Sequence, residues 1–143
     1  MELKVKHGID NLLFGVSKEF VEKTLGKYDE KYTDEDDNIK YQYNKLKLTL
    51  TFYKEAGYKL AYINCSSEEL TLLGKKLIGQ DIASVLSFLE ENGMEDFEYE
   101  NYDSFATNTN EDNWLVLNEE YGELNEVEIG VINNDDDEYE WKA

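Results

Sequence analysis

Few side chains in this 143-residue sequence are equipped for covalent chemistry. Cys65 is the only cysteine and His7 the only histidine. A thiolate nucleophile needs a base beside it and a further group to orient that base. His7 stands before Gly8 near the amino terminus, with no orienting group suggested, and is expected to be solvated. Cys65 closes the apolar pattern Leu60-x-x-Ile63-x-Cys65 and reads as a small buried hydrophobe. A lone cysteine leaves no internal disulfide and no cysteine-rich zinc site. The sequence holds no arginine, so the usual bidentate clamp for a phosphate or carboxylate substrate is missing. Gly15 and Gly79 are isolated, and no glycine-rich phosphate loop surrounds either. With 33 acidic residues, some carboxylate pair always falls at a glycosidase-like spacing, so such a pair is no signal. Two oxygen-rich segments, Asp34-Glu35-Asp36-Asp37-Asn38 and Asp135-Asp136-Asp137-Glu138, look superficially like cation loops. The first has Ile39 where a calcium loop needs its turning glycine. The expectation is a non-enzymatic protein with no cofactor and no resident metal.

What remains is acids interleaved with aromatics: Phe97-Glu98-Tyr99-Glu100-Asn101-Tyr102-Asp103, then Glu119-Glu120-Tyr121, then Asp137-Glu138-Tyr139-Glu140-Trp141. Tyrosine and tryptophan are favoured anchors of protein interfaces, and acids around them complement lysine or arginine on a partner. Alternating strands that bury the aromatic and expose the acid would give the same pattern. The candidate partner-binding residues are Glu95, Asp96, Glu98, Glu100, Tyr102, Asp103, Glu119, Glu120, Tyr121, Glu123, Glu126 and Glu128.

Charge distribution adds to this. The chain carries a net charge of −19. Residues 1–72 hold 11 lysines and 13 acids, whereas residues 73–143 hold 3 lysines and 20 acids. Solubility asks for a net charge of only about 2–8 in a small domain. The second half exceeds that and incurs self-repulsion, as a surface built to attract a strongly basic partner would. The same charge excludes nucleic-acid binding, because phosphates would be repelled. Aromatics at 13% and hydrophobics at 41% argue against disorder. No apolar run is long enough for a signal peptide or a membrane span, so a soluble cytoplasmic protein is expected.

These residues need elements to hold them. Ser17 is a natural N-cap for a short helix with Phe20, Val21, Thr24 and Leu25 at helical spacing and Gly26 behind it. Strands are expected at Ile39–Tyr43, Leu46–Phe52 and Tyr58–Cys65, with Tyr28–Asn38 as a loop. The order then recurs. A helix with Asp81 as N-cap ends at Asn92-Gly93, and strands follow at Phe97–Tyr99, Trp114–Leu117 and Leu124–Val131, with Tyr102–Asp112 as a loop. At an offset of 64, Leu13 falls on Leu77, Gly15 on Gly79, Ser17 on Asp81, Val21 on Val85, Leu60 on Leu124 and Cys65 on Ile129. A long fixed period signals a repeated supersecondary unit. The expectation is an α+β protein in which two αβββ-type repeats form antiparallel sheet with short helices on one face. One domain spans 1–143, with repeats at about 9–66 and 73–131 and an acidic tail at 132–143.

The segment Leu13–Gly26, with its pattern Gly-x-Ser-x-Glu-x-Val-x-x-x-Leu-Gly, and its echo at Leu77–Leu89 resemble the tandem repeats of beta-lactamase-inhibitory-protein-like proteins. The second copy departs from the pattern at Ala83 and Glu90. A small acidic chain of this kind also resembles the immunity proteins of bacterial polymorphic-toxin systems. The resemblance implies tight binding and inhibition of a cognate toxin, a basic protein of which a nuclease is one example; it carries over no site residue, since such proteins bind through divergent surfaces. The competing expectation is a general interaction module, or a nucleic-acid mimic that binds a basic host protein. Oligomeric state is open at this level.

Overall fold

The two helix starts follow from their caps. In the computed structural model, which describes all 143 residues, the Ser17 hydroxyl accepts a hydrogen bond from the Phe20 N–H at 3.0 Å. The Asp81 carboxylate accepts one from the Ser84 N–H at 3.1 Å. Each satisfies a donor that a helix start leaves without an intrahelical partner. Helix α1 is Lys18–Leu25 and helix α2 is Ile82–Glu91. Gly26 ends α1 at φ 85, a left-handed conformation that glycine adopts without steric cost.

The strands run in chain order β1 (Glu2–Lys4), β2 (Gly8–Ile9), β3 (Leu12–Leu13), β4 (Glu30–Thr33), β5 (Ile39–Tyr43), β6 (Leu48–Tyr53), β7 (Lys59–Cys65), β8 (Thr71–Leu72), β9 (Lys75–Lys76), β10 (Glu98–Tyr102), β11 (Phe105–Asn110), β12 (Leu115–Glu120) and β13 (Glu123–Gly130). The fold is α+β, with two short helices and two sheets rich in antiparallel pairs. The large sheet has eight strands in the order β10-β11-β12-β13-β7-β6-β5-β4, all antiparallel. The small sheet has the order β3-β2-β1-β8-β9, with β1 parallel to β8.

Each helix is followed by four strands of the large sheet rather than the three expected. The additional ones, β4 and β11, lie in segments whose sequence suggests loops. Strand β4 is exposed at every position, so no apolar alternation marks it. Strand β11 turns Ala106, Asn108 and Asn110 inward, and the buried asparagines hide the alternation. Asn108 is held by the Glu119 carboxylate at 2.6 Å and Asn110 by the Glu95 carbonyl at 2.5 Å, as burial of an amide requires.

The two halves share their fastenings. The Gly15 N–H donates to the Leu60 carbonyl at 2.9 Å, and the Gly79 N–H donates to the Leu124 carbonyl at 2.7 Å. In return the Leu60 N–H reaches the Val16 carbonyl and the Leu124 N–H the Gln80 carbonyl, both at 2.9 Å. Ala61 in β7 and Asn125 in β13 are the extra residues of matching β-bulges, opposite Thr51/Phe52 and Asn118/Glu119. The last strands of the halves, β7 and β13, pair at the centre of the sheet.

One face of the large sheet carries the core. Leu50, Phe52, Leu60, Ile63, Leu115, Leu117, Leu124 and Ile129 are completely buried there, together with Val21 of α1 and Val85 and Leu89 of α2. The tail folds back on the first half. The Lys142 N–H donates to the Phe14 carbonyl at 2.9 Å, and Lys59 lies over the Trp141 ring at 5.3 Å. Tyr139 packs on Trp141 and hydrogen-bonds the Glu55 carboxylate. No helix is long and apolar enough to cross a membrane.

Candidate functional site

Strand register decides which side chains share the other face of the large sheet, because successive residues alternate sides. One lateral row crosses all eight strands: Glu98, Thr109, Val116, Glu128, Asn64, Thr49, Gln42 and Glu30. A neighbouring row is Glu100, Thr107, Asn118 and Glu126. On the other side of the first row lie Gly130, Tyr62, Thr51, Lys40 and Tyr32. Glu120 pairs with Glu123 where β12 turns into β13. This outer face therefore has an acidic half, β10–β13, and a nearly neutral half, β4–β7.

At the centre of the face the carboxylates are organised by neutral donors. The Tyr62 hydroxyl donates to Glu128 Oε1 at 2.5 Å. The Asn118 amide donates to Glu128 Oε2 at 2.6 Å and to Glu126 Oε1 at 2.9 Å. The Asn64 amide reaches Glu126 Oε1 at 3.3 Å. Burial, reinforced by Glu128, pushes the Tyr62 phenol far above its ordinary value, so it remains a donor at neutral pH. The chain's three ion pairs, Lys4–Glu2, Lys54–Asp37 and Lys76–Glu69, lie elsewhere, and residues 98–130 contain no lysine. Thr51 is 3% exposed, and its hydroxyl has no hydrogen-bond partner.

The face is also aromatic. Tyr102 and Phe105 stack at the β10–β11 hairpin, 5.0 Å apart with their planes 10° from parallel, and both are exposed. The Glu100 carboxylate beside Tyr102 raises that phenol above its ordinary value. Trp114 lies over Gly130, and Tyr62 sits beside it.

Among the residues singled out from sequence, Glu98, Glu100, Tyr102, Glu120, Glu123, Glu126 and Glu128 share this face. Asp103 and Tyr121 occupy the two hairpin tips at one end of it, and Tyr121 is fully exposed. Glu95 and Asp96 lie in the loop before β10, at the opposite end. Glu119 takes the inner side, where it holds Asn108. Tyr62, Asn64, Trp114, Asn118 and Gly130 complete the centre. Their grouping depends on pairing between distant strands; the one local signal is the 64-residue offset, which sets Tyr62 and Asn64 on Glu126 and Glu128.

The two oxygen-rich segments are turns closed by their own side chains. Asp34 Oδ1 accepts from the Asp36 and Asn38 N–H groups at 2.9 and 3.0 Å. Asn134 Oδ1 accepts from those of Asp136 and Glu138 at 2.9 and 3.1 Å. Cys65 is buried, which raises its thiol pKa, and His7 Nδ1 lies 3.0 Å from the Val5 carbonyl.

A scan against protein-family models finds no match, and no curated protein matches the chain in sequence. Solved structures do match in fold. An extracellular protein containing an SCP domain from Bacillus anthracis superposes with a TM-score of 0.51 at 10% identity, over 80% of this chain and 43% of that one. A cysteine-rich secretory protein from Staphylococcus aureus gives 0.50 at 13% identity, again over 80% of this chain and 43% of that one. The chain thus spans less than half the length of either, and at such identities the likeness concerns the fold alone.

Proposed function

We propose that this protein is a non-enzymatic inhibitor of the immunity type, which captures a basic partner protein on the outer face of its large sheet. The observation that carries the reading is one face with Glu98 and Glu100 on β10, Glu120 on β12 and Glu126 and Glu128 on β13, no lysine anywhere in β10–β13 and no internal ion pair to neutralise them. Uncompensated charge raises the energy of the folded monomer, and a cationic surface relieves it. The field of such a face accelerates encounter, and the exposed aromatics supply contact area at low entropic cost. The reading needs no catalytic group, cofactor or metal. It places the protein in the cytoplasm beside a toxin domain before export.

Co-expression with the product of the neighbouring reading frame tests this. The expected neighbour is a basic protein that arrests growth alone and is neutralised by this chain. Charge reversal at Glu98, Glu100 and Glu120 slows association and flattens its salt dependence. An acidic or harmless neighbour, or association kinetics indifferent to those reversals, overturns the reading.

A further inference from the structure

Resting on that reading, we infer that the Trp114 indole, with Tyr62 and Glu128, forms the anchor point of the acidic face and receives an arginine side chain of the basic partner. Trp114 occupies the turn between β11 and β12 at φ 48, a left-handed conformation that bulky side chains avoid. Its indole lies against the backbone of Gly130. A Cβ built on Gly130 would come within 1.9 Å of Trp114 Cδ1, 2.2 Å of its Nε1 and 2.9 Å of Tyr62 Cδ1. Only glycine admits this approach. The Gly130 N–H also donates to the Trp114 carbonyl at 3.2 Å. The indole is thus seated from below, yet it is still 42% exposed.

The fold does not require an aromatic there. The equivalent turn of the first half has Lys47 at φ 53, whose carbonyl accepts from the Ser66 N–H at 3.0 Å. The same backbone hydrogen bond thus joins serine to lysine in one half and glycine to tryptophan in the other. Tyr62 links the indole to Glu128, with its ring at Gly130 and its hydroxyl on the carboxylate. Both Glu128 oxygens accept from neutral donors, which fixes their direction and leaves their charge.

A cation is the matching ligand. The negative face of an indole attracts it, and the oriented carboxylate completes the site. The chain already makes such a contact at its other tryptophan, where Lys59 lies over Trp141, but none of its lysines lies over Trp114. A planar guanidinium can stack on the ring while its N–H groups reach a carboxylate, whereas an ammonium is more strongly hydrated and is a point charge. With no arginine of its own, the chain cannot fill the site itself.

The test uses the full chain carrying Trp141→Phe, so that indole emission reports Trp114 alone. The probes are two fluorescein-labelled 12-residue peptides, one alternating arginine with glycine and one alternating lysine with glycine. The expected result is saturable binding of the arginine peptide with a change in Trp114 emission, at least threefold weaker binding of the lysine peptide, and at least fivefold loss of arginine-peptide affinity in Trp114→Ala. Trp114→Lys, which restores the residue of the equivalent turn, is expected to keep the fold and to lose affinity further. Salt-dependent binding that leaves the indole emission and the Trp114→Ala affinity unchanged overturns the anchor while the acidic face stands. Equal affinity for the two peptides overturns the choice of arginine. If neither peptide binds at low salt, the acidic-face reading fails, and the anchor fails with it.

Discussion

Lys47 stands at the turn before β6, and Trp114 stands at the equivalent turn before β12. On the inner side, Tyr41 and Tyr43 of β5 occupy the places that Asn108 and Asn110 take in β11. The strands, bulges and helix caps correspond, but many side chains on both faces of the sheet differ. What the two halves keep in common is the backbone framework and equivalent buried leucines, Leu48 and Leu115, Leu50 and Leu117, Leu60 and Leu124. The first half fills its side with tyrosine, whose hydroxyls reach Glu22 at 3.1 Å and the Gly26 carbonyl at 2.9 Å. The second half closes its side with amides and turns its charge outward.

If the halves are mechanically equivalent, the largest effects should match. Leu50→Ala and Leu117→Ala remove equivalent, fully buried side chains and are each expected to cost about 2–5 kcal/mol in urea denaturation. A cost near zero for either one would break the equivalence. Gly130→Ala sharpens the contrast on the outer face. It drives a methyl group into the Trp114 ring and is expected to cost about 1–3 kcal/mol, whereas Ser66→Ala at the corresponding site costs far less. The caps should again behave alike, Ser17→Ala and Asp81→Ala each losing about 1 kcal/mol.

The smallest effect separates the halves by pH. Burial, aided by Glu22 and Asp29, raises the Tyr43 phenol from 10.0 to about 12. The folded protein thus holds this proton more tightly than the unfolded chain. The resulting stability is complete below pH 10 and is lost as the pH rises through about 12. Tyr41 and Tyr62 are shifted in the same direction, and both belong to the first half. Hydrogen exchange above pH 10 should therefore show β5–β7 opening before β11–β12. Tyr43→Phe is expected to lose about 0.5–1 kcal/mol at neutral pH and to reduce the alkaline decline. Simultaneous opening of both halves would count against this assignment.

Local chemistry made part of this structure legible in the sequence. Ser17 and Asp81 declare helix starts because a capping oxygen must stand immediately before the first turn. The alternation from Leu48 to Phe52 marks β6 because only one face of that strand meets the core. Strand β4 leaves no such trace, since neither of its faces is covered, and β11 buries amides where apolar residues would show. Glu126 and Glu128 stand out as charges. Their setting does not, because Tyr62, Asn118 and Trp114 reach them only through the pairing of β7, β12 and β13. Tyr139 and Trp141 are the residues able to pin the acidic tail, as an edge strand would be pinned, but its attachment at Phe14 depends on contacts far apart in the sequence.

The meeting of β7 and β13 has a consequence for assembly. A polypeptide ending after Cys65 would present β7 as a bare edge of amide and carbonyl groups, above a core with nothing on its far side. The nearest remedy is a second β7 lying where β13 now lies, which would make a twofold-symmetric homodimer of half-length chains. Joining such partners covalently removes their dependence on concentration. It also lifts the rule that both protomers wear the same residues, which is how a symmetric scaffold can hold a neutral flank and an acidic one side by side.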